Sequence, residues 1–315
     1  MTDYFPPPGV IALAIIVACG TYVHFRGAVR HRFARQLSDH STLLAPINCV
    51  SYLFSKLPSQ PYHPVETFPE LKVLKENWKI IRDEALALNE DNKICASDKH
   101  DDVGFNSFFR TGWKRFYLKW YGNELVSANE LCPKTVALLN SISTIKAAMF
   151  TSLPPGAKLV QHRDPYAGSL RYHLALTAPG DDACAIYVDG QRYVWHDGED
   201  VVFDETYIHH AENRTDKPRI VLFCDVVRPL WFPPARWFNA VFSRIVLGAA
   251  VSKNVEGDKV GFLNHVFGYF YKVRLVAKRL KQSQRKLYYF LKFTLIALLV
   301  YAIFLKAFVH DYVGI

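Results

Sequence analysis

Closely spaced cysteine pairs are missing from this sequence: Cys19, Cys49, Cys95, Cys132, Cys184 and Cys224 form no C-x-x-C element and no even framework. That argues against a thiolate zinc site or a disulfide-stapled fold and leaves reduced, mostly buried thiols in a reducing compartment. P-loop and Rossmann fingerprints are absent, as are repeats and low-complexity tracts, so neither a nucleotide-binding motif nor a solenoid is signalled. Charge is scarce, 21% of residues against 50% apolar. This excludes disorder and leaves apolar length beyond what one core needs.

The net charge of +9 comes from 38 basic and 29 acidic residues, and its placement matters more than its size. Arg26, Arg30, Arg32 and Arg35 follow an apolar stretch from Val10 to Val23, and Lys272, Arg274, Lys278, Arg279, Lys281, Arg285 and Lys286 precede a second from Phe290 to Phe308. Both stretches approach the roughly 20 residues of a spanning helix. The positive-inside rule puts both basic flanks, and so the middle of the chain, in the cytoplasm, with both termini outside. A cleaved signal peptide is disfavoured because Met1-Thr2-Asp3-Tyr4 has no positive charge. Ile16-Val17-Ala18-Cys19 resembles a lipoprotein cleavage box, but the apolar run continues past it to Phe25. A buried helix is the alternative for the second stretch, where Lys292 and Lys306 would have to snorkel.

The expected organisation is an N-terminal anchor and basic flank over 1–35, a linker over 36–69, a helical and mixed support segment over 70–145, a catalytic core over 146–230, an amphipathic basic juxtamembrane region over 231–289 and a C-terminal anchor over 290–315. Pro58, Pro61, Pro64 and Pro69 mark the linker. Leu71, Leu74, Trp78, Ile81, Ala85 and Leu88 have the spacing of a core-facing helix. In the cation-aromatic run from Gly112 to Gly122, a strand with one face on the core is preferred over a cradle for an anionic headgroup or nucleic acid. From Lys146 onward, short strands alternate with turn signals such as Asp189-Gly190 and Asp197-Gly198. This texture predicts an antiparallel double sheet or jelly roll. Trp237, Phe238, Val241, Phe242, Ile245 and Val246, with Arg236 and Arg244, predict a helix on the membrane surface, a core helix being the alternative.

The chemistry centres on Lys158 to Val226. His162 and Asp164, two positions apart on extended chain, point the same way and can share one metal ion. His209, after the apolar Val201-Val202-Phe203, is placed to supply a third ligand. Two histidines and a carboxylate on one face of an octahedral ion leave positions open, as at O₂-handling non-heme Fe(II). His210 must point to the other side of its strand. In Leu170-Arg171-Tyr172-His173-Leu174, alternation sends Arg171 and His173 to the pocket face. Arg219 opens the apolar run Ile220-Val221-Leu222-Phe223-Cys224. A cation there needs an anion against its desolvation, and a dicarboxylate cosubstrate would provide one.

His162-Arg163-Asp164-Pro165-Tyr166, Phe203-Asp204-Glu205-Thr206-Tyr207-Ile208-His209 and Arg219-Ile220-Val221-Leu222 together resemble the aspartyl/asparaginyl β-hydroxylase family over roughly Lys146 to Pro229. The resemblance implies an Fe(II)- and 2-oxoglutarate-dependent dioxygenase that uses O₂. It implies a mainly β chain whose catalytic domain is a double-stranded β-helix (jelly roll), with helices packed outside and a transmembrane helix at each end. By the same resemblance His162, Asp164 and His209 are the iron ligands, Arg219 pairs with the distal carboxylate of 2-oxoglutarate, and Arg171, His173 and Thr151 are further cosubstrate contacts. A carboxylate at Asp164 sides with the family's bacterial lipid A 2-hydroxylases rather than its animal peptide hydroxylases, as do Gly104-Phe105-Asn106-Ser107-Phe108-Phe109 and the terminal anchors.

What this implies is hydroxylation at C2 of a secondary acyl chain of lipid A, at the cytoplasmic face of a bacterial inner membrane, with no nucleic acid or protein partner. Two anchors and juxtamembrane cations would hold the site against a bilayer-confined dianionic lipid. Treated as tethers, the anchors should matter for turnover on membranes far more than for uncoupled succinate release. The rivals are a membrane-tethered peptidyl aspartyl/asparaginyl hydroxylase and a metal-holding sensor without turnover.

Overall fold

The computed structural model describes residues 6–97, 102–306 and 309. The outer ends of both expected anchors, 1–5 and, 309 apart, 307–315, lie outside the described residues. The strands are β1 (Tyr62–His63), β2 (Lys114–Trp120), β3 (Ile145–Leu153), β4 (Ser169–Thr177), β5 (Cys184–Val188), β6 (Gln191–Val194), β7 (Asp200–Phe203), β8 (His209–Asn213) and β9 (Arg219–Val227). One sheet runs β1-β7-β4-β9-β3-β2 and a second runs β6-β5-β8, with antiparallel pairing throughout. The nine-residue strands β3, β4 and β9 are buried along nearly their whole length, because both faces of the large sheet are covered. Asp189 and Gly190, both at positive φ, make the two-residue hairpin between β5 and β6.

The expectation of a mainly β chain folded as a double-stranded β-helix is corrected. Helices hold 47% of the described residues and strands 20%, and the two sheets stay open rather than closing into a barrel. The fold is mixed α/β. Edges remain at β1 and β2 of the larger sheet and at β6 and β8 of the smaller. Turn-punctuated strands are confined to a limited part of the sequence, and its texture does not represent the helical remainder.

The helices of nine residues or more are α1 (Pro8–Phe25), α2 (Ala45–Leu53), α3 (Trp78–Glu90), α4 (Pro133–Ser141), α5 (Pro233–Phe242), α6 (Phe262–Ser283) and α7 (Arg285–Val300). Asn77 breaks the expected Leu71–Leu88 helix into a short piece, Lys72–Glu76, and α3, whose Ile81, Ala85 and Leu88 are buried as their spacing predicts. α3 packs on β4. The segment read as a linker is built into the sheet: Tyr62 pairs with Phe203 and His63 with Val202. The Gly112–Gly122 run forms β2, as preferred, but is buried on both faces rather than one. On α5 and the turn after it, Trp237, Phe238, Val241, Ile245 and Val246 are exposed.

By length and composition, Pro8–Phe25 and Arg285–Leu305 are apolar enough to cross a membrane, with mean hydropathy of 1.8 and 2.0. Their distal ends touch, since a Cβ on Gly9 would lie 2.4 Å from the carbonyl oxygen of Phe304. Only glycine lets the two backbones approach that closely.

His63 is buried with its Nε2 unpartnered. Burial, aided by Arg228 and Arg26 and opposed by Asp204, lowers its pKa from 6.5 to about 4. A histidine neutral in the fold and charged in the unfolded chain contributes stability fully above about pH 6.5 and loses it as the pH falls toward 4. The melting temperature in detergent should therefore drop across that window, with a shallower slope in His63→Gln. An unchanged slope in the variant would assign the pH dependence to other groups.

Candidate metal centre

Backbone pairing brings the three expected ligands together. The His162 N–H donates to the His209 carbonyl at 3.0 Å and the His209 N–H returns the bond to His162 at 2.8 Å, while the Asp164 N–H donates to the Glu205 carbonyl at 2.9 Å. This short ladder sets the imidazole centroids 4.2 Å apart. One potential ligand atom from each of His162, Asp164 and His209 then falls within 4.8 Å of the others. His162 Nδ1 lies 2.7 Å from the Val160 carbonyl and His209 Nδ1 3.0 Å from that of Tyr207. Donation by Nδ1–H to those carbonyls fixes both tautomers with Nε2 free for a metal.

The surroundings keep the donors unprotonated. Burial, with His162 next to it, lowers the His209 pKa to about 3, and burial also lowers that of His162. For Asp164 burial acts upward, but Arg171, His209 and His162 outweigh it and hold the carboxyl below its ordinary range. Two neutral imidazoles and a carboxylate make a donor set that fits a mononuclear divalent metal such as iron.

All seven residues singled out in the sequence line one pocket: Thr151, His162, Asp164, Arg171, His173, His209 and Arg219. Arg171 faces it as alternation predicts, yet its Nε and Nη2 are engaged. It donates to Asp164 Oδ2 at 2.7 Å and Asp225 Oδ1 at 3.0 Å, contacts Glu205, and stacks on Phe223 with its guanidinium carbon 3.5 Å from the ring centroid. Arg171 thus holds a ligand carboxylate in place. Arg219 differs: it is buried over the Trp195 ring at 4.3 Å, its Nε has no partner, and no carboxylate among the described residues pairs with it. Burial lowers its pKa to about 10. Both ring nitrogens of buried His173 are also unpartnered. His210 stacks on Tyr187 at 4.7 Å, away from the triad.

Sequence reasoning missed four neighbours. Asp225 and Glu205 complete the cluster around Arg171, Trp195 floors Arg219, and Phe108 packs on His162 with centroids 4.6 Å apart. The signal for Asp225 was a lone carboxylate inside an apolar strand run.

Arg26 is not a headgroup cation. It is buried, pairing with Asp204 at 2.5 Å, donating to Thr206 Oγ1 at 2.7 Å and lying between the Tyr52 and Tyr207 rings. Arg228 takes the same Asp204 oxygen at 2.9 Å. The ligand loop is pinned from the same side: Arg35 donates to the Gln161 carbonyl, His40 Nε2 lies 2.8 Å from that of Arg163, Arg163 donates to the carbonyl of Val23, and Asn48 binds Pro165 and Ala167. The N-terminal region is therefore part of the metal site, not a detachable tether.

A two-histidine, one-carboxylate triad of this geometry is consistent with the active site of a mononuclear metal enzyme. Residues 75–229 match the family model of the aspartyl/asparaginyl beta-hydroxylases. An ornithine lipid ester-linked acyl 2-hydroxylase of Rhizobium tropici is 36% identical over 222 residues, covering 69% of this chain and 78% of that protein. Aspartate beta-hydroxylase domain-containing protein 2 of Xenopus tropicalis is 28% identical, covering 58% of this chain, and the aspartyl/asparaginyl beta-hydroxylase of Mus musculus is 29% identical, covering 59%. The chain spans 50% and 25% of the lengths of those two animal relatives. It belongs to the aspartyl/asparaginyl β-hydroxylase family. The expected likeness to lipid A 2-hydroxylases holds at a coarser level, since the bacterial relative is named for another acyl lipid.

Two outcomes test the centre. His209→Ala should abolish Fe(II) binding measured anaerobically by calorimetry, whereas His210→Ala should retain it; equal loss would mean the ligand is misassigned. Arg26→Ala should weaken Fe(II) binding roughly tenfold, the scale of lost outer-sphere support, while Arg32→Ala, at an exposed position, leaves it unchanged.

Proposed function

We propose that the chain is an Fe(II)- and 2-oxoglutarate-dependent dioxygenase that hydroxylates C2 of an ester-linked acyl chain of a bacterial membrane lipid. The observation that carries the cosubstrate is Arg219, a buried guanidinium without an acidic partner, in the same pocket as the triad. A dicarboxylate would satisfy it, and the planar fork of arginine suits a carboxylate. His173 and Thr151 line the same wall and would orient that molecule. Arg171, paired with three carboxylates through Nε and Nη2, keeps Asp164 ionised and aimed.

When bound, Fe(II) with 2-oxoglutarate and O₂ supplies the oxidising power to hydroxylate an unactivated carbon, 2-oxoglutarate becoming succinate and CO₂. The protein's own part is to hold and screen. Phe105, Phe108, Trp113 and Phe223 wall the pocket and limit water. The backbone bonds at Val160 and Tyr207 keep both imidazoles facing inward.

The resemblance set out above implies the secondary acyl chain of lipid A as substrate, at the cytoplasmic face of the inner membrane where 2-oxoglutarate and reduced iron are found. The bacterial relative's name favours ornithine lipid as the second reading. Two spans with adjoining distal ends support a membrane-bound substrate with both termini on one side. Arg219→Lys should raise the 2-oxoglutarate concentration for half-maximal succinate release by roughly tenfold or more while Fe(II) binding persists. Mass spectrometry of lipid A and ornithine lipid from cells expressing the protein should show one added oxygen atom in one fraction. No change in either, together with hydroxylation of an Asp- or Asn-containing peptide, would replace this reading by the peptide one.

A further inference from the structure

Beside the triad lies a second cavity of about 540 Å³, whose lining includes both His162 and Asp164 of the triad and Arg274. Its wall includes Phe105, Phe108, Trp120, Leu247 and Ala250. Trp120 Nε1 donates to the Leu247 carbonyl at 2.8 Å, Asn123 donates to that of Gly248 at 3.1 Å, and Asn264 donates to that of Ala250 at 2.9 Å. The rim from Leu247 to Ala250 is therefore held rigidly over the sheet and α6. Its position relative to the apolar surface is informative. Leu247 directly follows exposed Ile245 and Val246, continuing the unpartnered face of Trp237, Phe238 and Val241. Arg274 sits on α6, which is joined through the non-helical Gln284 to α7, the start of the second candidate span.

We propose that this cavity is an acyl-chain channel that opens at the bilayer surface and admits one chain of an anionic membrane lipid, with Arg274 taking the headgroup anion at the mouth. The inference rests on the acyl-lipid reading above and adds the route, the entry side and the headgroup charge. The volume lies in the range of small-molecule sites and holds one chain, not a whole multi-chain lipid, so the rest of the lipid stays in the membrane. The wall is mostly apolar, with Arg163, Arg171, Glu205 and Asp225 also on the lining, so its aromatic and aliphatic stretch takes methylenes out of water and offsets part of the cost of leaving the bilayer. A cation next to an anionic surface adds attraction that a zwitterionic headgroup would lack.

The test uses the full-length, iron-loaded protein in anionic phosphatidylglycerol vesicles containing a phospholipid with a diazirine near the ester end of one acyl chain. After illumination, peptide mapping should place label on 105–108 and 247–250. Ala250→Trp, which fills the channel, should abolish that label, and Arg274→Gln should lower it roughly fivefold, the effect of one cation at an anionic surface. Label confined to the exposed 231–246 segment and α7, or unchanged cavity label in both variants, would overturn the channel. Mass spectrometry of lipid from the same vesicles, supplemented with the lipid fraction that accepts oxygen, separates the two claims. Oxygen transfer without cavity label removes the channel and leaves the function, while cavity label without transfer to any lipid leaves the channel and removes the function.

Discussion

Three carboxylates converge on one buried guanidinium, and the metal site depends on that arrangement. Arg171 binds Asp164, Glu205 and Asp225 at once. Asp164 comes from the ligand loop, Glu205 from the segment leading to His209, and Asp225 from β9, so a single cation on β4 ties together every piece of backbone that aims a ligand. Burial pushes Glu205 and Asp225 above their ordinary carboxylate range, while Arg171 pulls against it. Removing the guanidinium would leave buried acids uncompensated, a loss far larger than that of one surface ion pair. The carboxylate-paired Arg171 is thus a frame, and Arg219 in the same pocket, without a carboxylate partner among the described residues, is left to bind.

A second ionic group extends the frame to the end of α1. Asp204, shared by Arg26 and Arg228, locks the start of the segment that ends in His209 to the residue that follows α1. Burial raises the Asp204 carboxyl, but Arg228 and Arg26 more than reverse this, so it stays ionised between them. With Arg35, His40 and Asn48 bracing the ligand loop, the N-terminal region and the metal site form one mechanical unit. This fixes the site relative to α1, an arrangement that suits the bilayer-confined lipid substrate proposed above.

Local periodicity made most of the site legible in the sequence. The His162-Asp164 spacing, the Arg171-His173 alternation and the position of Arg219 at the head of an apolar strand each encode a direction within a few residues. The burial of Ile81, Ala85 and Leu88 was legible for the same reason. What could not be read was long-range: Arg26 meets Asp204 across 178 residues, and in sequence it looks like any other cation after an apolar run. The sheet architecture failed likewise, because turn signals between strands say where each ends but not whether the sheets close. The proline-rich segment looked like a linker because two residues, Tyr62 and His63, are too few to give a strand pattern.

Insertion of oxygen into an acyl chain by this triad, as proposed above, is open to direct measurement. The purified, iron-loaded protein in bilayers containing lipid A or ornithine lipid, given 2-oxoglutarate under ¹⁸O₂, tests it most directly. The account predicts one ¹⁸O atom at C2 of the acyl chain for each succinate formed, and none with Asp164→Ala. Succinate formed in step with ¹⁸O appearing in a peptide side chain, with the lipid unlabelled, would contradict it.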